Sequence, residues 1–516
     1  MRRGRMIRRR PRTTVALCLA VALVTLAFVP ATSAQFFPDR EPTTADMVFG
    51  CNPGPVEELH HADPPIPAAA VHTADEPPRT ATLTVHTERS GRRIEGAGFN
   101  LEHTLWSCQP FRRVLNRWIL EPFQPEVARV DTGQLPLAPE HVSVDELGWD
   151  VYQATMDDPK YQPSWEMLER LNRADVKLML GVWGMPGQFT DNGTRRGQLL
   201  PEHIDKYVEY YTAVVDYLVR RRGIVVWSAT VMNEPDGGDG TLIPPDEFME
   251  VARRLGPALA PYGVTLYGPD TASAANALPY VDRLLREPDV LAHFSAIATH
   301  EYFVDHAVEQ LRATVRGAGV DLPIYVTEYT SFRFGALDRG QETTDEIGHM
   351  LDSLQVFASV MNAGADAALY WDAVDYYQGG HAAVTRWGLL RGPDDAFEPR
   401  TRYYGFAQVL PFLVRDAEVV ASTLNGPELF AALAVGGGRV RPGDLAIVLI
   451  NRSGPIDLAL DVSGPSPTKF EVYVTDVEQD QEHVGRVKLA NGAARVSVPA
   501  RSVVTLAVSP APDDDE

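Results

Sequence analysis

The chain has few cysteines, an excess of acidic over basic residues and no long apolar run beyond its first 34 residues. Among 516 residues three are cysteine, and 47 lysines and arginines stand against 69 aspartates and glutamates, a formal net charge of −22. Such an acidic chain is a poor partner for nucleic acid or an anionic membrane, because both are negatively charged. After the N-terminus no apolar run approaches the roughly 20 residues of a membrane span. We therefore expect neutral or weakly charged partners, no nucleic acid and no membrane span.

The first 34 residues have the pattern of an export signal. Seven arginines precede an apolar stretch from Val15 to Val29, and a short segment of small residues follows up to Ala34. This order of basic, apolar and small-residue segments is typical of a secretory signal peptide. The apolar stretch is too short for an uncleaved membrane anchor. Residues 1–34 are thus predicted to be a signal peptide, and the mature protein is expected to be secreted with a net charge of about −29.

Two cysteines remain once the signal peptide is removed. Cys18 leaves with the leader, while Cys51 and Cys108 stay in the mature chain. In an exported protein such a pair favours one disulfide, which would hold an irregular proline-rich extension, residues 35–79, to the main domain. Two free buried thiols are the alternative.

From residue 93 to residue 404, short apolar runs alternate with stretches of helical period. The segments between the runs place apolar residues on one helical face. This alternation predicts an α/β fold, a (β/α)8 TIM barrel whose active site lies at the carboxyl ends of its strands. The eight predicted strands are Ile94–Asn100, Glu126–Asp131, Val176–Trp183, Ile224–Asn233, Val264–Asp270, Ser295–Glu301, Pro323–Glu328 and Ala367–Asp372.

After residue 404 the helical period gives way to short alternating runs. These predict a C-terminal β-sandwich over residues 405–510, followed by an acidic tail, residues 511–516. Residues 80–92 begin with a half-buried strand, Thr80–His86, which we expect to complete the sandwich from the N-terminal side of the barrel. The predicted sandwich strands are Leu445–Ile450, Leu458–Val462, Phe470–Thr475, Ala494–Val498 and Val503–Val508.

Two of the predicted barrel strands, the fourth and the seventh, lead to a glutamate. Glu234 precedes Pro235 at the end of one apolar run, and Glu328 ends the other. Because the carboxyl ends of barrel strands meet at one face, both carboxylates are expected at the same site. Hydrolysis of a glycosidic bond needs such a pair, about 5–5.5 Å apart in enzymes that retain the anomeric configuration. Either glutamate alone is equally well explained as a structural ion-pair partner, and the pairing favours catalysis.

Four short segments near these strand ends resemble a clan A glycoside hydrolase. Within the clan the resemblance is nearest to family 30, whose members join a TIM barrel to a β-sandwich completed by N-terminal sequence. The start of the barrel is more similar to family 39-like and arabinofuranosidase-like members. The clan segments are Asn233-Glu234-Pro235, Thr327-Glu328-Tyr329, His300-Glu301-Tyr302 and Tyr370-Trp371; those typical of family 30 are Val182-Trp-Gly-Met-Pro-Gly187 and Arg501-Ser-Val-Val; the departure is Gly96-Ala-Gly-Phe-Asn-Leu-Glu-His103.

The resemblance implies a retaining β-glycosidase that works by double displacement. Glu328 would be the nucleophile, Glu234 the general acid and base, and Asn233 the partner of the sugar 2-hydroxyl. We expect Tyr302 and Arg129 to hold the pKa of Glu328 low, while a more desolvated Glu234 keeps its proton. Arg129 has a second interpretation, a structural bridge to the aspartate two residues later.

Four further residues are candidates for contact with a substrate. Trp371 and Trp183 would form stacking walls against the apolar face of a sugar, or else belong to the barrel core. His300 would orient the nucleophile or touch a hydroxyl, or else be an ordinary histidine at the rim. Asp270, at the end of the fifth predicted strand, is a possible substrate contact.

No cofactor and no metal are expected. The Gly96-Ala-Gly98 run lacks the third glycine of a dinucleotide fingerprint, and the Asp236–Gly240 loop lacks calcium-ligand spacing. The expected partner is an oligosaccharide, polysaccharide or glycoside, bound by a monomer. Two alternatives stay open: a furanosidase of the same clan, suggested by Asn100-Leu-Glu-His103, and a carbohydrate-binding barrel without catalysis.

Overall fold

A computed structural model of the protein describes most of the chain from residue 76 onward. The predicted signal peptide, Cys51, Cys108 and their proposed disulfide lie outside the described residues. Within the described part of the chain, no helix has both the length and the apolar character needed to cross a membrane. The described residues are 76–101, 106, 109–131, 142–302, 307–331, 343, 345–375, 386–392, 397–437 and 445–508.

Nineteen strands and eleven α-helices lie in these described ranges. The strands are β1 (Arg79–His86), β2 (Arg92–Arg93), β3 (Gly96–Leu101), β4 (Val127–Asp131), β5 (Lys177–Gly181), β6 (Val226–Thr230), β7 (Thr265–Thr271), β8 (Phe294–Glu301), β9 (Ile324–Tyr329), β10 (Ala367–Tyr370), β11 (Glu418–Val420), β12 (Ser422–Asn425), β13 (Phe430–Gly436), β14 (Leu445–Asn451), β15 (Ile456–Ser463), β16 (Lys469–Thr475), β17 (Glu482–Lys488), β18 (Ala493–Val498) and β19 (Ser502–Ala507). The α-helices are α1 (Gln109–Val114), α2 (Glu121–Phe123), α3 (Trp149–Met156), α4 (Gln162–Arg173), α5 (Ile204–Asp216), α6 (Pro245–Leu259), α7 (Ala274–Leu284), α8 (Pro288–Leu291), α9 (Ala307–Gly317), α10 (Glu346–Ala363) and α11 (Thr401–Ala407). Short π-helical turns are Leu115–Leu120 and Tyr217–Arg221, and short 3₁₀ turns are Val144–Glu146, Pro159–Tyr161, Gly187–Phe189, Pro201–His203, Ala260–Tyr262 and Leu410–Phe412.

Strands β3 to β10 form a closed parallel barrel, in which β10 pairs with both β9 and β3. All eight predicted barrel strands are present, and the predicted fold class is confirmed. Every residue of β3 and β9 is buried, as expected for strands covered by side chains inside the barrel and helices outside it. Helices α6 and α9 bury apolar residues at intervals of three and four, so that one face of each packs on the barrel.

The loop after β6 departs from the predicted strand and sets the position of Glu234. β6 ends at Thr230, three residues before the predicted end at Asn233. The Asn233 N–H donates to the Val182 carbonyl and the Glu234 N–H donates to the Asp270 carbonyl, so the chain runs between the ends of β5 and β7. Glu234 has a left-handed backbone with φ 44°, which is uncommon for a residue with a Cβ. Glu234 is therefore held on a turn and does not end a strand.

Strands β11 to β19, together with β1 and β2, form the β-sandwich. The four-stranded sheet has the order β12-β1-β15-β18, and the seven-stranded sheet has the order β17-β16-β19-β14-β13-β11-β2. β1 pairs with β15 along its whole length, which confirms that an N-terminal strand completes the sandwich. Alternate residues of β13 and β14 face the smaller sheet or the barrel helices, so the larger sheet is the middle layer. The predicted strands omit β2, β11, β12, β13 and β17.

Gln408, just after α11, joins the barrel to this middle layer. Its side chain is buried, its Nε2 donates to the Val503 carbonyl (2.9 Å), and its Oε1 accepts from Thr475 Oγ1 (2.8 Å). The Gln408 carbonyl also accepts from Thr505 Oγ1 (3.3 Å). Gln408 is thus hydrogen-bonded to two neighbouring strands of the larger sheet, β16 and β19.

Gln408→Ala should lower the free energy of unfolding by about 2–5 kcal/mol, because it leaves two buried polar groups without their partner. Urea denaturation followed by circular dichroism measures the change. Gln310→Ala, on the exposed face of α9, is the matched control and should stay within about 0.5 kcal/mol of the wild type. Equal effects of the two substitutions would contradict the role of Gln408 at the junction.

Candidate active site

Arg129, in β4, makes the central contacts of the site. Its side chain is fully buried, and a charge removed from water has to be paired and hydrogen-bonded. All five of its N–H groups are satisfied, each by an acceptor on a different residue. Nε donates to Tyr267 Oη (3.1 Å), Nη1 to Asn100 Oδ1 (3.0 Å) and Glu328 Oε1 (2.6 Å), and Nη2 to Asn233 Oδ1 (2.6 Å) and Asp270 Oδ2 (2.8 Å).

Glu328, in β9, is surrounded by groups that donate to its carboxylate. Oε1 accepts from Arg129, and Oε2 accepts a hydrogen bond from the Tyr302 hydroxyl. His300 Nδ1 lies 3.4 Å from the same Oε2. The carboxylate is therefore fixed by groups from β4, from β8 and from the residue that follows β8.

Glu234 is held by its own loop and by His300. Its Oε1 lies 2.9 Å from His300 Nδ1, and its Oε2 accepts a hydrogen bond from the Asp239 N–H. Gly238 packs against the same oxygen so closely that a Cβ at this position would overlap it. The turn after Glu234 thus wraps around the carboxylate, and only a glycine fits at its closest point.

The two glutamates lie at the same end of the barrel and close to each other. An oxygen of Glu234, an oxygen of Glu328 and a ring nitrogen of His300 all lie within 4.8 Å of one another. This spacing fits the about 5–5.5 Å of a retaining pair of carboxylates and is shorter than the about 6.5–9.5 Å that an inverting pair needs to admit a water molecule.

His300 and Asp270 lie beneath the two glutamates and are both fully buried. Burial alone would lower the pKa of His300, but the carboxylates of Glu328, Asp270 and Glu234 raise that pKa to about 10. Burial alone would raise the pKa of Asp270, but Arg129, His300 and a hydrogen bond from Thr327 lower it to about 2. At neutral pH the site therefore holds an imidazolium above a permanently ionised aspartate.

The expected low pKa of Glu328 is wrong in direction, although the expected contacts of Glu328 are present. Glu328 is 3% exposed and Glu234 is 8% exposed, so Glu328 is the more desolvated. Burial raises the pKa of Glu328 above its ordinary value and the charge of Glu234 adds to this, while His300, Arg129 and Tyr302 act against them. The depth at which β9 is buried decides the direction, and no motif reports that depth.

Two tryptophans beyond the strand ends form an aromatic wall. Trp183, two residues after β5, lies with its ring 4.1 Å from the Arg129 guanidinium carbon, and Trp371 follows β10 directly. Their ring centroids are 5.9 Å apart with planes inclined by 32°. Trp183 is almost fully buried, whereas Trp371 is partly exposed. Trp371 thus offers an accessible face, and Trp183 supports Arg129 by a cation–π contact.

The structure brings all nine predicted site residues together but at two depths. Tyr302 and Trp371 are partly exposed, and Glu234 is next in exposure. Arg129, His300 and Asp270 are fully buried, and the polar atoms of Asp270 contact protein groups, so these three support the site from below. The remaining members, with little exposure, are Asn233, Trp183 and Glu328.

Three buried residues that support Arg129 and Asp270 are not among the predicted site residues. Asn100 accepts from Arg129 and donates to the Thr327 and Tyr370 carbonyls (2.9 and 3.3 Å). Tyr267 accepts from Arg129 and donates to a carbonyl of β5 (3.0 Å), and Thr327 donates to Asp270. In the sequence, these residues could have been recognised only as polar residues inside parallel strands that are otherwise apolar.

Glu234, His300 and Glu328 also offer three atoms of the kind that bind metal ions. His300 Nδ1 is hydrogen-bonded to Glu234 (2.9 Å) and lies at ion-pair distance, 3.4 Å, from Glu328. With its pKa at about 10, His300 carries a proton on this nitrogen, where a metal ligand would need a lone pair. These contacts are those of a protonated imidazole beside two carboxylates.

A TIM barrel joined to a β-sandwich is the architecture expected from the sequence motifs. No family model matches the chain. A family 30 endoxylanase from Clostridium papyrosolvens C71 matches with a TM-score of 0.63 and 16% identity, over 83% of this chain and 99% of that one. The family 30 subfamily 8 xylanase from Clostridium acetobutylicum matches with a TM-score of 0.63 and 18% identity, over 83% of this chain and 99% of that one. An endo-β1,6-glucanase matches with a TM-score of 0.61 and 14% identity, over 83% of this chain and 93% of that one. At these identities the likeness confirms a shared fold.

Arg129→Met should lower the free energy of unfolding by about 3–5 kcal/mol, because it keeps the volume but leaves buried carboxylates without their cation. Urea denaturation at pH 7 measures the loss. Arg173→Met is the control: this arginine is 62% exposed and lies 3.9 Å from Glu169, so a change under about 1 kcal/mol is expected. A loss at Arg129 no larger than that at Arg173 would show that the buried pairs do not stabilise the fold.

Proposed function

We propose that this protein is a secreted retaining glycoside hydrolase that cleaves β-type glycosidic bonds, with Glu328 as nucleophile and Glu234 as general acid and base. The observation that carries the proposal is the pair of carboxylates at one end of the barrel, with an oxygen of each within 4.8 Å of the other. The fold shared with family 30 xylanases and an endo-β1,6-glucanase supports it. The N-terminal leader pattern supports export.

In the first step Glu328 attacks the anomeric carbon and a glycosyl ester forms. The bond from that carbon to the leaving oxygen breaks, and the proton of Glu234 goes to this oxygen. Arg129 and Tyr302 hold the two oxygens of Glu328, so one orientation of the carboxylate is presented to the sugar. The products of the step are the ester, the released alcohol and ionised Glu234.

In the second step water replaces the ester. Glu234, now ionised, takes a proton from the water, whose oxygen bonds to the anomeric carbon while the bond to Glu328 breaks. Glu328 leaves as a carboxylate that Arg129 and Tyr302 again stabilise by hydrogen bonds. Two displacements on one carbon return the original anomeric configuration.

Asn233 and the tryptophans supply the contacts that would orient the sugar. Arg129 holds Asn233 Oδ1, and within the described residues Asn233 Nδ2 has no hydrogen bond, which leaves a donor for the 2-hydroxyl. Trp371 presents a partly exposed indole on which the apolar face of a sugar would stack. A neutral oligosaccharide or polysaccharide suits these groups.

The described residues offer little support for the two alternatives, a furanosidase and a carbohydrate-binding barrel without catalysis. Asn100, which suggests a furanosidase, is buried against Arg129, and Glu102 and His103 lie outside the described residues. A carbohydrate-binding barrel without catalysis would have no need for two carboxylates held within reach of one anomeric carbon. A pyranosidase is thus our first candidate, and activity on a panel of sugars distinguishes the three.

Glu328→Gln should reduce hydrolysis of a 2,4-dinitrophenyl glycoside by roughly 10⁴-fold or more, because no ester forms. The panel comprises β-glucoside, xyloside, galactoside, arabinofuranoside and galactofuranoside. Glu234→Gln should still release one equivalent of dinitrophenolate, since this leaving group needs no proton, and then stall. Added azide should restore turnover of Glu234→Gln and yield the β-glycosyl azide.

The control for both variants is Glu309→Gln, on the exposed face of α9, which should keep the wild-type rate. Wild-type rates in Glu328→Gln would refute its assignment as nucleophile. Glycan binding by the wild type without product from any member of the panel would favour the non-catalytic alternative.

Gly238→Ala should impair catalysis without unfolding the protein, because its Cβ displaces the carboxylate of Glu234. We expect a greater loss of kcat/KM on a methylumbelliferyl glycoside, whose leaving group needs a proton, than on the dinitrophenyl glycoside. Gly317→Ala, where a Cβ meets nothing within 4 Å, is the control and should leave both rates unchanged. Equal losses on the two substrates would show that Gly238 does not act through Glu234.

A further inference from the structure

One ring nitrogen of His300 faces both catalytic carboxylates. Nδ1 lies 2.9 Å from Glu234 Oε1 and 3.4 Å from Glu328 Oε2. Its single N–H is hydrogen-bonded to Glu234, and Glu328 lies beside this bond at ion-pair distance. Among the lysine, arginine and histidine side chains of the described residues, no other has a nitrogen within 4 Å of both glutamates, since Arg129 pairs with Glu328 but not with Glu234.

The other ring nitrogen of His300 faces a single charged group, Asp270. Nε2 lies 3.6 Å from Asp270 Oδ1, beyond hydrogen-bond distance, so the two interact as opposite charges in a dry interior. Asp270 is itself fixed, because Oδ2 accepts from Arg129 and Oδ1 accepts from Thr327. Its backbone is left-handed, with φ 69°, a conformation that non-glycine residues seldom adopt. The aspartate is thus held rigidly beneath the imidazole.

The charges around His300 balance only if one acid carries a proton. The groups that face it are Glu234 after β6, Asp270 in β7, Tyr302 after β8 and Glu328 in β9, and Arg129 in β4 contacts two of these acids. The charges of the two cations, Arg129 and His300, and of the three acids sum to zero when Glu234 is protonated and Asp270 and Glu328 are ionised. They are neutral again in the ester, where Glu328 is uncharged and Glu234 is ionised.

We propose, resting on the proposed function, that Asp270 is a positioning residue that holds His300 as a cation. The Nδ1–H of this cation stabilises whichever of Glu328 and Glu234 carries the negative charge in each step. In ester formation the negative charge leaves Glu328 as the proton of Glu234 goes to the leaving oxygen. In ester hydrolysis Glu234 takes a proton from water and the charge returns to Glu328. His300 keeps its own proton in both steps and lies beside the receiving carboxylate each time.

Asp270→Asn tests the proposal, because it keeps the shape and removes the charge. The measurement is kcat as a function of pH on the dinitrophenyl glycoside that the wild type hydrolyses fastest. With this substrate the breakdown of the ester should limit the rate, and a burst of dinitrophenolate verifies that it does. The wild-type plateau should extend well above pH 6.5, the ordinary pKa of a histidine, because Asp270 and ionised Glu234 keep His300 protonated in the ester. In Asp270→Asn the plateau should end about 1–3 pH units lower, since the departing Glu328 carboxylate loses its cation.

Thr327→Val is the control for a merely structural effect. It removes the hydrogen bond to Asp270 Oδ1 but keeps the charge, so the end of its plateau should stay in place even if its rates fall. In a His300→Asn background, which keeps a donor but does not titrate, adding Asp270→Asn should not move the profile further. An unmoved plateau in Asp270→Asn, or an equal shift in Thr327→Val or in the His300→Asn background, would overturn the proposal.

Nitrogen NMR of ¹⁵N-histidine-labelled protein separates this proposal from the proposed function. The resonances of His300, identified by their loss in His300→Asn, should keep the doubly protonated shifts up to pH 9 in the wild type and titrate about 1–3 units lower in Asp270→Asn. Identical titration in both proteins would overturn the link between the two residues. The NMR shift in a protein that hydrolyses no glycoside would leave that link standing and refute the transfer of charge together with the proposed function.

Discussion

The buried guanidinium of Arg129 is the interaction on which the rest of the site depends. It satisfies its five N–H groups with acceptors from β3, β7, β9 and the loop after β6, so strands that are distant in sequence are fixed against one cation. An ion pair in a dry interior stabilises only if its remaining donors and acceptors are also satisfied. This requirement explains why the residues around Arg129 are polar although they lie inside the barrel, and why Glu328 is aimed in one direction.

Charge balance gives the two layers of the site different tasks. The lower layer holds two cations, Arg129 and His300, and the permanently ionised Asp270. The upper layer holds the two glutamates, which together require one negative charge to make the whole neutral. Because the lower layer keeps its protonation near neutral pH, the proposed mechanism assigns the mobile charge to the pair of glutamates. A charge that alternates between two carboxylates is what double displacement requires.

Sequence patterns predict most of this architecture and part of the site. Alternating apolar runs predict the eight barrel strands, and the glutamates after the fourth and seventh of them do meet, because a closed parallel barrel brings strand ends together. The exposed, polar edge strand β17 and the alanine-rich β13 lack the β-branched pattern on which strand prediction relies. The depths of Arg129, His300 and Asp270 were equally out of reach, since a motif names a residue without its distance from solvent.

The raised pKa of Glu328 fits its proposed role better than the low value expected from its neighbours. A carboxylate that is made more basic by burial binds an electrophilic carbon more strongly than one stabilised by water. Arg129, Tyr302 and His300 act against burial and favour the ionised form that attack requires. Burial thus provides reactivity and the three donors provide ionisation, and neither alone would give a carboxylate that is both basic and charged. In the proposed mechanism the same three groups would also stabilise Glu328 when it leaves, so one set of contacts would serve both displacements.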